Sequence, residues 1–76
     1  MKRFFFDVAV GNHVDYDYRG RDLARAEDAR EFAELIALDL GSAEEAEGQN
    51  LEIQVRSPNG TRLFSVPIPQ ADRIAA

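Results

Sequence analysis

The chain has no cysteine and no tryptophan, and only one histidine and one methionine in 76 residues. Without cysteine there is no disulfide framework, no thiolate metal site and no thiol nucleophile. No stretch approaches the roughly 18 apolar residues of a membrane span, and Phe4-Phe5-Phe6 is broken by Asp7 far short of a signal-peptide core. A cytoplasmic protein is therefore expected, with no membrane partner. Positive charge is also scarce. The net charge is −5, and residues 22–47 carry nine acids against Arg25 and Arg30, a local balance of −7. A nucleic-acid binder needs a positive stripe to displace counterions. None is visible, so nucleic acid is not an expected partner.

What the chain does have is one sustained helical pattern. On a wheel of about 100° per residue, Ala26, Ala33, Ile36, Ala37 and Leu40 fall within about 80° of Ala29, with Phe32 on the flank. This predicts a helix over residues 22–41 lying on a sheet, with Asp22 as N-cap and Gly41 as C-terminal cap. Glu27, Arg30, Glu31 and Glu34 point away. Leu35 and Leu38, at about 240° and 180°, break that polar face.

The flanking segments alternate with a period of two, as strands do. Residues 3–10 put Phe4, Phe6, Val8 and Val10 on one face and Arg3, Phe5, Asp7 and Ala9 on the other, which marks a central strand. Residues 13–18 set Val14, Tyr16 and Tyr18 against His13, Asp15 and Asp17. A two-residue Gly11-Asn12 loop would put the two apolar sets on opposite faces. A three-residue loop including His13 pairs Val8 with Tyr16 and Phe6 with Tyr18, so the burial pattern selects it. Asp17 and Gly20 occupy the first and fourth positions of a type I turn. After a loop over residues 42–50, residues 51–56 form a half-buried strand. Ser57-Pro58-Asn59-Gly60 is a turn. Residues 62–68 form the last strand, with Ile53 opposite Phe64, or with a bulge that brings Leu63 inward.

The expected architecture is α+β in the order ββαββ: a four-stranded antiparallel sheet, spatial order 2-1-3-4, with one helix on one face. The whole chain, residues 1–76, makes a single domain with a frayed tail from about residue 70. These motifs resemble a family of small alphaproteobacterial proteins of unknown function. Its pattern appears here as Arg3-Phe4-Phe5-Phe6-Asp7-Val8, then Asp17-x-x-Gly20-x-Asp22-Leu23, then the Ala/Glu-rich helix, then Gly60 and Val66-Pro67. Where that family starts the helix with Pro-Asp, this chain has Ala24-Arg25. The resemblance implies the fold and assigns no activity.

No nucleophile, base and orienter assemble in the sequence, so no catalytic residue and no cofactor are expected. His13 reads as a loop residue tolerant of the left-handed conformation. The three-residue hairpin sets Asp7 across from Asp17 with Asp15 diagonal, and like charges so placed require compensation. Arg3 and Arg19 are candidates to supply it, solvation is another, and Asp7, Asp15 and Asp17 form a weak candidate for a divalent cation. Phe5, Ala9 and Leu63 on the outer sheet face, with Leu35 and Leu38 on the helix, are candidate interface residues. The expected function is a non-enzymatic protein-interaction domain that forms a homo-oligomer, with the sheet face favoured. The alternative is an acidic, antitoxin-like inhibitor of a basic protein partner.

Overall fold

The computed structural model describes residues 1–41 and 51–68. The loop and the tail expected over 42–50 and 70–76 lie outside the described residues. The elements are β1 (Lys2–Val10), β2 (His13–Asp15), β3 (Arg21–Leu23), α1 (Ala26–Gly41), β4 (Leu51–Arg56) and β5 (Arg62–Pro67). The fold is α+β, with one helix on an antiparallel sheet in the order β2-β1-β4-β5. That order is the expected one. The sheet has five strands instead of four, because β3 pairs with β1 on the same edge as β2. β2 covers Val8 to Val10 and β3 covers Lys2 to Phe4, so one edge of β1 is shared by two short strands.

β1 and β4 form the middle of the sheet, with Phe6 opposite Val55, Val8 opposite Ile53 and Val10 opposite Leu51. Together with Phe4 these side chains face α1. The helix presents Ala29, Ala33 and Ala37, all at most 2% exposed, at a spacing of four. That ridge of methyl groups lets the helix sit close on Ile53 and Val55, which are wholly buried. Ile36, Leu40 and Phe32 close the flanks of the core, with Phe64 and Val66 from β5. The Phe32 ring meets Phe6 edge-on at 5.1 Å, and the Arg21 guanidinium caps its other side at 4.4 Å. Among the described residues no helix is long and apolar enough to cross a membrane.

Three expectations fail here for identifiable reasons. Asp22 is not the N-cap, because it lies in β3 and pairs with Arg3. The helix instead starts after Arg25, whose carbonyl receives Asp28 and Ala29 N–H. The Asp28 carboxylate accepts the Arg25 N–H at 3.2 Å in return, which is half of a capping box. In the first hairpin Val10 pairs with His13 and Ala9 with Val14, so the loop has two residues. Gly11 takes φ 60° while no other residue type has positive φ, the pattern of a type II′ turn. His13 therefore begins β2 in an extended conformation, and Val14 sits on the outer face with Ala9. Tyr16 and Tyr18 are 55% and 87% exposed and take no place in the core.

The second hairpin also departs from the expected register. Ile53 pairs with Val66 and Val55 with Phe64, and a bulge between Val55 and Arg56 leaves Leu63 unpaired. The bulge does not bring Leu63 inward: it is 39% exposed. Gly41 is the last residue of α1, where the pattern was expected to end.

Candidate functional site

The outer face of the sheet is organised around Asp7. Its side chain is almost fully buried, because Gln54 and Ala9 flank it and the residue 16–20 loop closes over it. Arg56 reaches it diagonally from β4, donating from Nε to Asp7 Oδ2 at 2.8 Å and from Nη2 to Oδ1 at 3.1 Å. The same Nη2 donates to the Asp17 carbonyl at 3.2 Å, and Asp17 N–H donates to Asp7 Oδ1 at 2.9 Å. The Arg56 guanidinium lies over Phe5 at 4.7 Å and near Tyr16 at 5.9 Å. Its hydrogen bonds to Asp7, offset by burial and reinforced by nearby carboxylates, raise its pKa further.

Asp17 fixes the loop that follows β2. Its Oδ2 accepts the Phe6 N–H at 3.1 Å, and its Oδ1 accepts Arg19 and Gly20 N–H at 3.0 and 3.1 Å. Burial alone would raise the Asp17 pKa. The N–H groups of Gly20, Phe6 and Arg19, with the Arg56 charge, outweigh it and hold the carboxyl below its ordinary value. Arg3 ties down the far side of the loop, donating to the Arg19 carbonyl and, in a bidentate pair, to Asp22.

The carboxylates expected to repel are thus joined through Arg56 and backbone donors; Arg19 contributes its N–H to Asp17, and the Arg3 side chain pairs with Asp22 instead. Asp15 stands apart, against His13 Nε2 at 2.8 Å on the surface. Among the described residues no three histidine, cysteine, aspartate or glutamate side chains converge as a metal group would require. Asp7 and Asp17 direct their oxygens into the fold, so this cluster is a clamp for the loop. Sequence reasoning missed Arg56 as its centre. The signal was present in strand alternation, which puts Arg56 on the same face as Asp7 once β4 is set beside β1.

The candidate interface residues divide. Ala9 is buried and Phe5 half-buried beneath Arg56, so the outer face is not the bare apolar surface expected. Leu35, Leu38 and Leu63 are exposed, the first two at 64% and 63%. Leu38 also lines an open groove of about 420 Å³ between α1 and β5, with Glu34, Ala37, Val66 and Pro67. β5 is the last strand of its sheet, and among the described residues nothing pairs with its far edge. Among the described residues the groove thus lies beside an uncovered strand edge, the geometry to which an added strand or a packed helix is suited.

These features define a small α+β domain with an internal loop clamp and, among the described residues, one uncovered sheet edge. The chain belongs to the DUF6894 family, a domain of unknown function, whose model matches residues 3–69. A search of curated proteins and a search of solved structures each return no match.

Proposed function

We propose that this chain is a non-enzymatic protein-interaction domain that associates with itself. The observation that carries this reading is the α1–β5 side, where, among the described residues, exposed Leu38 lines an apolar groove beside an unpaired strand edge that also carries exposed Leu63. A chain this short buries only roughly 60% of the surface that its unfolded form exposes, so such a side favours a partner. Sedimentation equilibrium at micromolar concentration tests it: a dimer is expected, and a monomer throughout would refute the reading. A second reading, an antitoxin-like inhibitor of a basic protein, draws on the exposed acids Glu27, Glu31 and Glu34 of α1. It requires a monomer that co-purifies from native lysate with one small basic protein.

A further inference from the structure

Resting on the reading that the domain self-associates, we infer that two copies join edge to edge through β5, about a two-fold axis passing beside Ser65. Ile68 N–H donates to the Leu51 carbonyl on β4. Backbone polarity alternates along an antiparallel strand, so Val66 and Phe64 also direct their N–H and C=O groups to β4. Ser65 then presents both groups to the free edge, and Pro67 presents a carbonyl with no N–H beside it. A second copy, running antiparallel and centred on Ser65, forms a reciprocal pair with the partner's Ser65 and sets Pro67 opposite the partner's Leu63. Leu63 is the residue that the bulge leaves unpaired with β4. About this axis the two Ser65 residues exchange both of their hydrogen bonds, which makes the contact isologous, while the Pro67 positions on either side contribute carbonyl acceptors only.

The helix layer matches the same axis. α1 packs on both β4 and β5, with the Arg30 guanidinium 5.4 Å from the Phe64 ring and Glu34 and Leu38 beside Val66 and Pro67. It thus runs in the same direction as β5. A two-fold at Ser65 brings the partner's Phe64 opposite Val66, and so the partner's Arg30 beside Glu34. Both residues are exposed, and the axis forms the Arg30–Glu34 pair twice. With strands about 4.8 Å apart and α1 lying above the space between β4 and β5, the two helices stand about 10 Å apart, the ordinary packing distance. Around the helix Arg30, Glu34, Ala37 and Leu38 occupy one sector, from about 80° to 180°, while Leu35 at about 240° turns to the other side. Leu38 enters the seam and Leu35 does not.

The test is a charge exchange read by sedimentation equilibrium, with circular dichroism confirming that each variant folds. Arg30→Glu and Glu34→Arg each place like charges at both crossings and should weaken the dimer about tenfold or more. An equimolar mixture of the two variants restores both pairs and should yield a one-to-one heterodimer of wild-type affinity. Leu38→Lys should dissociate the dimer, and Leu35→Lys should leave it intact. Because the chain has no cysteine, Ser65→Cys supplies a unique thiol. Its Cα would lie about 5.5 Å from its two-fold mate, within disulfide reach, and oxidation should link two chains. A wild type that stays monomeric overturns this inference together with self-association. A wild-type dimer indifferent to both charge variants and to Leu38→Lys overturns this surface alone. Dissociation by Phe5→Lys without those effects would move the contact to the outer sheet face. Dimerisation that appears only when residues 69–76 are removed would assign the edge to the chain's own end.

Discussion

Gly20 carries two constraints at once. Its φ is 74°, and a Cβ there would lie 2.9 Å from Arg3 Cγ and Phe5 Cε1 and 3.0 Å from the Phe4 carbonyl oxygen. Gly20→Ala should therefore cost about 2–3 kcal/mol, seen as a melting temperature lower by roughly 10–20 °C. Its neighbour Asp17 acts through charge as well as shape. Asp17→Asn turns one accepting oxygen into an amide donor, so it cannot serve Phe6 and the Arg19–Gly20 pair together. A loss of about 1–3 kcal/mol at neutral pH is expected by urea titration. Since the folded carboxyl is held below its unfolded value, near 3.8, its contribution is complete above that value. It is lost as pH falls toward the lowered folded one. The Asn variant should show a shallower loss of stability below about pH 4. Arg56→Ala strands Asp7 without a counter-charge and should cost about 3–5 kcal/mol. Asp7→Leu combined with Arg56→Met should recover much of that. The Asp7–Asp17 proximity was expected from a three-residue hairpin that does not form: Val8 lies opposite Asp15, and the two aspartates meet only because the chain leaves the ladder after Asp15 and Asp17 N–H turns in to Asp7. The role of Arg56 was not legible either, because it depends on how β4 registers against β1.

At the scale of elements, the helix was the most legible part, and its alanines show why. Ala29, Ala33 and Ala37 repeat at the helical period on the side that packs. Ala33→Leu should drive the helix off Ile53 and Val55, at a cost of about 1–3 kcal/mol, measurable by chemical denaturation. The helix start was misplaced because Asp22 is a good cap in isolation, whereas Arg3 claims it for β3. The first hairpin was misread for a different reason. The choice of register assumed that only one sheet face is apolar, yet the outer face has its own cover of Phe5, Tyr16 and the Arg56 plane. With that cover, Val14 is accommodated outside and the two-residue turn is permitted. The β5 register shifted by two residues, one because the turn takes in Thr61 so that Arg56 pairs with Arg62, and one because Leu63 is bulged; a shift of two leaves the same faces inward, so a count of period two does not see it.

For the molecule as a whole, association links stability to concentration. If the folded state is a dimer, the wild-type melting temperature should rise with protein concentration across roughly 1–100 µM. Glu34→Arg should melt at one temperature throughout. The groove itself was only half legible: Leu38 stood out on the helix wheel, but Glu34, Ala37, Val66 and Pro67 meet only through the packing of α1 on β5.

The two margins of the sheet are unequal. On one side β2 and β3 divide the edge of β1 between them, and the clamped loop at residues 16–20 stands in the break. Three-residue strands separated by a turn offer an incoming chain no continuous ladder to copy. Among the described residues, only the β5 margin has that length. If the β5 border joins two copies as inferred above, the molecule is a chain terminator: once two such borders meet, none is left for a third copy. Such a pair should stay a dimer at every concentration, which sedimentation across the same range would check.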